Sequence, residues 1–273
     1  MAVDFSERLR DIQRAKRTAV CIGLDPDPRR LPEHLAQGLD PAAAVVAFNR
    51  AVIEATAPIA AAYKLNLAFF EALGAGGWNA IEATLRAMPE DVLTIADGKR
   101  GDIGHSANFY ARAVFELQGF DACTVSGYMG RDSVTPFLDY EGRAAFLLAR
   151  TSNPGGADFQ DLVCDGEPLF ERVVRTAAAW EAGRPGTLGF VAGAVDDRPL
   201  RRIRTAAPVA PLLIPGVGAQ GGDARAVMRA AGEGPVLVNS TRSIIYASGA
   251  PDFAEAAARE AEALRVLLEA ARP

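Results

Sequence analysis

Short apolar runs alternate with longer amphipathic stretches along the whole chain. The apolar runs are nearly continuous and rich in β-branched or bulky residues, which is typical of parallel strands buried on both faces. The longer stretches repeat apolar residues at helical spacing. The stretch 41–56 also begins with Pro41 after the capping residue Asp40. The eight predicted strands span residues 18–24, 61–67, 91–97, 121–126, 144–150, 186–193, 210–216 and 234–240.

A helical pattern lies between almost every pair of predicted strands. The further predicted helices span residues 77–88, 106–118, 131–140, 168–182, 198–207, 223–232 and 252–271, of which 131–140 is short and broken by proline. Eight strand–helix units predict an α/β fold, a (β/α)₈ TIM barrel that forms a single domain over residues 1–273. A doubly wound sheet is the alternative. Against it, GLDPDPRRLP follows the first strand in place of a Gly-x-Gly-x-x-Gly turn.

Composition narrows the class of protein. The net charge of −5 argues against a nucleic-acid partner, because proteins that bind the phosphate backbone present a basic face. The N-terminal segment has mixed charge and no apolar core, and no run of about 18 uncharged apolar residues occurs, so we expect neither a signal peptide nor a membrane span. Three cysteines without a Cys-x-x-Cys pair suit a reducing compartment. The expected location is cytoplasmic.

Polar side chains stand where the predicted strands end, which is where the functional residues of such barrels gather. Asp25 follows the first strand, Asp97 ends the third and Ser152 follows the fifth. Lys64 and Asn66 point to the same face of the second strand. A lysine in mid-strand is rarely buried unless paired, and a barrel has no edge strand to expose it. We therefore expect Lys64 to pair with Asp97 on the neighbouring strand.

The last two strand ends suggest an anion site. The seventh strand runs into GVGAQGGD, residues 216–223, whose glycines let backbone N–H groups converge on an anion. Arg242 follows the eighth strand. The loops after strands seven and eight commonly bind phosphate in this barrel class, so the sequence predicts a phosphate site.

The segment DGKRGD, residues 97–102, places two acids and a lysine just after a buried strand. Asp97 and Asp102 could hold Mg²⁺, but Lys64 and Lys99 already supply positive charge. A Schiff-base lysine needs a lowered pKa, which neighbouring acids oppose. A lysine flanked by acids suits proton donation to a carbanion. A surface ion-pair network is the structural alternative.

Several segments together resemble the orotidine 5′-phosphate decarboxylase family, in its longer bacterial form. The Asp-x-Lys-x-x-Asp pattern is shared with related phosphate-binding barrels, some of them Mg²⁺-dependent lyases of sugar phosphates. Its combination with TSNPG and GVGAQGGD is much more specific. The matching segments are GLDP, YKLNLAFFEALG, ADGKRGDIG, YMGRDSVTPF, TSNPGGADFQ, IPGVGAQGGD and NSTRSIIYAS.

The resemblance implies decarboxylation of orotidine 5′-monophosphate to UMP, the last step of de novo UMP synthesis, with no metal or organic cofactor. Lys99 would protonate C6 of the pyrimidine, and Asp97 would lie close to the departing carboxylate. Lys64 and Asp102 would complete the charged group. The resemblance also implies a homodimer in which Asp102 reaches into the partner's site.

The resemblance assigns further residues to substrate binding. Asp25 would bind the ribose and Ser152 the pyrimidine edge, while Ile103 and Ser106 would accompany Asp102 into the partner's site. The residues implied for the 5′-phosphate are Pro215, Gln220, Thr241 and Arg242. Two other functions stay open at this point: a Mg²⁺-dependent sugar-phosphate lyase on the same barrel, and a non-catalytic protein that binds pyrimidine nucleotides.

Overall fold

Eight parallel strands close into a barrel in the computed structural model, which describes residues 3–194, 196–216 and 223–272. Each strand pairs with its neighbours in chain order, and the last pairs with the first, with Val20 opposite Val238. The predicted barrel is confirmed, and the doubly wound alternative is wrong. The strands are β1 Val20–Gly23, β2 Ala62–Asn66, β3 Leu93–Arg100, β4 Ala122–Val125, β5 Ala144–Arg150, β6 Thr187–Ala192, β7 Leu212–Pro215 and β8 Val236–Ser240.

Helices surround the barrel and cover one of its ends. The helix predicted over 41–56 has the predicted bounds. Its start is fixed by the Asp40 side chain, which accepts hydrogen bonds from the N–H groups of Ala42 and Ala43 in the first turn. Within the described residues the α-helices are α1 Phe5–Lys16, α2 Glu33–Ala36, α3 Pro41–Thr56, α4 Leu67–Glu71, α5 Ala75–Leu85, α6 Gly104–Arg112, α7 Leu169–Ala178, α8 Asp197–Ala206, α9 Ala224–Ala231, α10 Arg242–Ile245 and α11 Phe253–Glu269.

Several connections differ from the sequence prediction, which did not include the short helices α2, α4 and α10. The helix predicted over 131–140 is wrong: the chain there forms two 3₁₀ turns, Arg131–Ser133 and Thr135–Leu138. Pro136 lacks the N–H that a continuing α-helix needs. Before α7, a two-stranded antiparallel hairpin pairs Val163–Cys164 with Glu167–Pro168, which the sequence pattern did not indicate.

Helix α1, which was not among the predicted helices, closes the N-terminal end of the barrel. Phe5 and Leu9 join the interior cluster, to which every barrel strand contributes. The Oδ2 atom of Asp4 accepts a hydrogen bond from Thr187 at the start of β6. Arg8 donates to Asp121, just before β4, at 3.0 Å. Because this end is covered, a ligand must enter at the opposite end, where the strands finish.

A second core lies between the barrel and its helices. Phe48 of α3 stacks on Phe253 of α11, with ring centroids 5.1 Å apart. The last described residue also contacts the start of the barrel, because Arg272 donates to the Thr18 carbonyl just before β1. Of the helices in the described ranges, none has both the length and the apolar character needed to cross a membrane.

Candidate active site

A cavity of about 770 Å³ opens at the C-terminal end of the barrel. All eight strand ends contribute to its wall, as expected for a barrel of this class. The cavity brings together eight of the residues predicted from the sequence: Asp25, Lys64, Asp97, Lys99, Ser152, Pro215, Thr241 and Arg242.

Asp97 is the centre of the charged group. Its Oδ2 atom lies 2.8 Å from Nζ of Lys64, which is the pairing expected from the strand pattern. Its Oδ1 atom lies 2.7 Å from Nζ of Lys99 and accepts a hydrogen bond from the Thr124 hydroxyl at 2.8 Å. One carboxylate therefore fixes two ammonium groups side by side.

Burial and opposite charges compete at Lys64 and Asp97. Burial alone lowers the pKa of Lys64, but the carboxylates of Asp25, at 3.8 Å, and Asp97 raise that pKa above its usual value. Burial raises the pKa of Asp97, but the ammonium groups of Lys64 and Lys99 bring it below its usual range. Both side chains therefore remain charged at neutral pH. The Lys99 side chain is 49% exposed and Lys64 only 6%, so Lys99 is the ammonium open to the cavity.

The end of β3 turns Lys99 toward the cavity. The pairing of β3 with β4 shifts register between Ala96 and Arg100, and such irregularities redirect side chains. Lys99 has a φ of 46°, in the left-handed region that residues other than glycine seldom occupy. Its backbone N–H donates to the Thr124 hydroxyl at 3.0 Å, which holds this conformation.

Asp25 lies beside this group, after β1. Its Oδ1 atom accepts the backbone N–H of Asn66 at 3.0 Å. Its Oδ2 atom accepts the hydroxyl of Thr241 at 3.3 Å and lies 3.8 Å from Nζ of Lys64. The carboxylate is thus fixed by strands on both sides and still lines the cavity.

Comparison with known proteins identifies the family. The sequence model of the orotidine 5′-phosphate decarboxylase / HUMPS family matches residues 18–259, which is most of the chain. The chain belongs to this family. Curated orotidine 5′-phosphate decarboxylases are similar to it: that of Herpetosiphon aurantiacus is 47% identical over 96% of this chain and 97% of its own length. The enzyme of Polaromonas naphthalenivorans is 45% identical over 98% of this chain and 96% of its own length. The family membership and enzyme class expected from the motifs are confirmed.

Solved structures of the decarboxylase family share the fold. The OMP decarboxylase of Leishmania donovani superposes with a TM-score of 0.81 at 36% identity, covering 97% of this chain and 99% of that one. The UMP synthase of the same organism superposes with a TM-score of 0.83 at 38% identity, covering 97% of this chain and 57% of that one.

The loop after β5 carries Ser152 in this decarboxylase-family barrel. Gln160 fixes the loop, because its Oε1 atom accepts the N–H of Thr151 at 2.9 Å and its Nε2 atom donates to the Thr151 hydroxyl at 3.0 Å. Arg150 forms two hydrogen bonds with Asp161, at 2.8 and 2.9 Å. The loop is therefore braced from within, and Ser152 faces the cavity.

The expected phosphate region is described in part. Pro215, at the end of β7, and Arg242, the first residue of α10, line the cavity. Within the described part of the chain, Arg242 has no carboxylate within ion-pair distance. Gln220 and most of the predicted glycine-rich turn, residues 217–222, lie outside the described residues.

Asp102, Ile103 and Ser106 are not among the described residues that line this cavity. Asp102 and Ser106 line a separate cavity of about 600 Å³ on the outside of the barrel. Ile103 is 52% exposed, and Phe109 of α6 is 57% exposed. These residues form an apolar and charged outer face, which we call the α6 face.

Several polar residues of the site were missed by the sequence reasoning, among them Thr124, Gln160 and Asn239. Thr124 and Asn239 interrupt apolar strand runs in the same way as Lys64, so the same signal was available for them. Gln160 lies in a loop, and only the fold brings it to Thr151. Across the described ranges, no three His, Cys, Asp or Glu side chains are grouped so that they could hold a metal ion.

Proposed function

We propose that this protein decarboxylates orotidine 5′-monophosphate to UMP, the last step of de novo UMP synthesis, without a metal or organic cofactor. The observation that carries the proposal is the array of Lys64, Asp97 and Lys99 on the wall of the cavity. The relatives of 45–47% identity that bear the name of this enzyme support the substrate.

The array suits a reaction that creates charge on carbon. When the bond between C6 and the carboxylate breaks, CO₂ leaves and the electron pair stays in an sp² orbital on C6. An ammonium group held beside that carbon stabilises the carbanion as it forms. Lys99 then donates its proton to C6, which gives UMP, and water returns a proton to the half-exposed amine.

The other charged residues hold this donor in place. Asp97 orients Lys99 through the 2.7 Å contact and lies close to the departing carboxylate in this proposal. Lys64 balances the charge of Asp97 from the opposite side. Asp102 completes the charged group in the partner's site.

The remaining residues bind the parts of the nucleotide that do not react. Asp25 binds the ribose hydroxyls and Ser152 the edge of the pyrimidine. The 5′-phosphate binds at the β7 and β8 ends, among Pro215, Gln220, Thr241 and Arg242. Binding energy from a phosphate far from the scissile bond serves to hold the base against Lys99.

We propose a homodimer as the active form, because the α6 face bears exposed apolar side chains next to Asp102. Ile103 and Phe109, each more than half exposed, would be covered by a second copy, with Ser106 entering the partner's site beside Asp102. We also propose that the chain forms one decarboxylase domain, since α1 and α11 pack on the same barrel. The proposed location is cytoplasmic, in line with three cysteines that form no Cys-x-x-Cys pair.

The absorbance of the pyrimidine ring tests the proposal, because loss of the C6 carboxylate changes the ring spectrum. Purified protein mixed with orotidine 5′-monophosphate should convert it fully to a species with the spectrum and chromatographic mobility of UMP. Tight binding of UMP with no spectral change of the substrate would instead identify a nucleotide-binding protein.

A further inference from the structure

We propose that Thr241 is a positioning residue whose hydroxyl fixes the Asp25 carboxylate for the substrate ribose, and that Gly23 lacks a side chain to leave room for it. The inference rests on the proposed function, in which Asp25 binds the ribose. It assigns the Thr241 hydroxyl to Asp25, so that Thr241 would contact the phosphate through its backbone alone.

The Thr241 hydroxyl does not do what a threonine at its position usually does. Thr241 is the N-cap of α10, where a threonine side chain commonly accepts a backbone N–H of the first turn. Its side chain makes no such bond, and the N–H of Ile244 bonds to the Thr241 carbonyl instead. The hydroxyl lies 3.3 Å from Oδ2 of Asp25. The hydroxyl is therefore directed to the segment that follows the neighbouring strand β1.

Gly23 makes this crossing possible. A Cβ atom at position 23 would lie 1.9 Å from Oγ1 and 2.9 Å from Cβ of Thr241. Its third nearest atom, Cγ2 at 3.2 Å, also belongs to Thr241. Gly23 sits in β1, two residues before Asp25, and pairs with Lys64 of β2. The missing side chain thus serves the contact between Thr241 and Asp25.

Two buried neighbours set the direction of the hydroxyl proton. Burial raises the pKa of Cys21 to about 12, so its thiol stays protonated at neutral pH and donates to Oδ1 of Asn239 at 3.5 Å. The Nδ2 atom of Asn239 in turn points at Oγ1 of Thr241, also at 3.5 Å. Since this oxygen accepts from Asn239, its own proton is left for Asp25.

Loss of the Thr241 hydroxyl should affect binding of the ribose more than the chemical step. Oδ2 of Asp25 faces both the Thr241 hydroxyl and, at 3.8 Å, the Lys64 ammonium. Without the hydroxyl, Oδ2 loses one of its two partners and the carboxylate can swing toward Lys64, away from a ribose in the cavity. Substrate affinity should fall, whereas Lys99 and Asp97 keep their contact.

Thr241→Val tests the hydroxyl, because valine keeps the shape and removes the donor. We expect it to weaken UMP binding about tenfold, the size typical of a lost hydrogen bond to a charged acceptor. Binding of 2′,3′-dideoxy-UMP, which gives Asp25 no ribose hydroxyl, should be unchanged. Thr241→Ser should restore most of the affinity for UMP. The control is Thr205→Val on α8, whose hydroxyl bonds only to the Arg201 carbonyl within the described structure and should leave both affinities unchanged.

A double-mutant cycle tests the role of Gly23. Gly23→Ala alone should weaken UMP binding at least tenfold, because its Cβ displaces the Thr241 side chain. In the Thr241→Gly background, the same alanine should have almost no further effect. Additive losses would overturn the coupling, and equal losses for UMP and its dideoxy analogue would overturn the link to the ribose. Failure of the wild-type protein to decarboxylate its substrate is a separate result that rejects the proposed function.

Discussion

The ammonium of Lys64 lies 2.8 Å from Oδ2 of Asp97, and both side chains are at least nine-tenths buried. In the described structure, Asp25, at 3.8 Å, is the one other carboxylate within ion-pair distance of Lys64. A buried ammonium needs such partners, because removing it from water costs several kcal/mol. By contact distance, Asp97 is therefore the main partner of Lys64, and Asp25 adds its charge from farther away.

Asp97→Asn should destabilise the folded protein by about 3 kcal/mol, because it leaves Lys64 buried with one distant carboxylate. Urea unfolding at pH 7 and fixed protein concentration measures the change in unfolding free energy. The control is the double variant Asp97→Asn with Lys64→Met, which has neither charge and should recover most of the loss. A single variant as stable as the wild type would contradict the assignment of Asp97 as the main partner.

The pair of Lys64 and Asp97 should not make the free energy of unfolding depend on pH near neutrality. The pKa of Asp97 is lower in the folded state, so its contribution is present above about pH 3.9 and is lost as pH falls toward the folded-state value. The pKa of Lys64 is raised, so its contribution is present below about pH 10.4 and is lost above the folded-state value. The difference in unfolding free energy between the wild type and the double variant should stay constant from about pH 5 to 9.

Most of the barrel could be predicted because each strand carries its own signal. The run 144–150 coincides with β5, and Asp40 with Pro41 marks the start of α3. The segment 131–140 also has helical spacing, but Pro136 and the short connection produce 3₁₀ turns. Helix α1 was missed although Asp4 caps it and Phe5 and Leu9 stand at helical spacing; its place at the end of the barrel, by contrast, depends on the folded chain.

The site was predictable where a charge interrupts an apolar run. Lys64 and Asp97 stand out in this way, and parallel pairing of β2 with β3 brings them together. Thr241 was noticed in the sequence, but its contact with Asp25 depends on the pairing of β8 with β1 and on space above Gly23. Such a contact joins residues 216 positions apart, and no local pattern reveals it.

Lys99→Ala should reduce turnover by at least about 10³-fold, since it removes both the stabilising charge and the proton donor. The initial rate of absorbance change with orotidine 5′-monophosphate measures the loss. Circular dichroism should show an intact fold, because the Lys99 side chain is half exposed. Arg86→Ala, which alters an exposed ion pair with Glu82, is the matched control and should keep full activity. Substantial turnover by Lys99→Ala would rule out its role as the donor.

Arg242→Ala should weaken UMP binding about tenfold to a hundredfold, because a charged hydrogen bond to phosphate is lost. Uridine, which has no phosphate, should bind the variant and the wild type equally. Titration calorimetry with both ligands gives the comparison. The control is Arg259→Ala on α11, whose guanidinium pairs with Asp252 away from the cavity. Equal losses for UMP and uridine would reject Arg242 as the phosphate ligand.

Treatment with EDTA followed by gel filtration should leave the decarboxylation rate unchanged, because Lys64 and Lys99 provide the positive charge that a metal ion would otherwise supply. The rate is compared before treatment, after treatment and after addition of Mg²⁺. Loss of activity on chelation with recovery on Mg²⁺ addition would favour a metal-dependent lyase-type mechanism on this barrel.

Two inactive variants should restore activity to each other if Asp102 serves the partner's site. Lys99→Ala and Asp102→Ala are each expected to be inactive as homodimers. In a mixed dimer, the Asp102→Ala subunit keeps its own Lys99 and receives an intact Asp102 from its partner, so one of the two sites is complete.

Unfolding and refolding an equal mixture of the two variants should therefore give roughly a quarter of the wild-type activity, from random pairing in a two-fold dimer. Each variant refolded alone is the control and should stay inactive. The cavity lining motivates the test, since Asp102 is absent from the described wall that holds Lys99 and lies instead on the α6 face. If the refolded mixture stays as inactive as the separate variants while subunits carrying two different affinity tags co-purify as mixed dimers, Asp102 does not act across the interface.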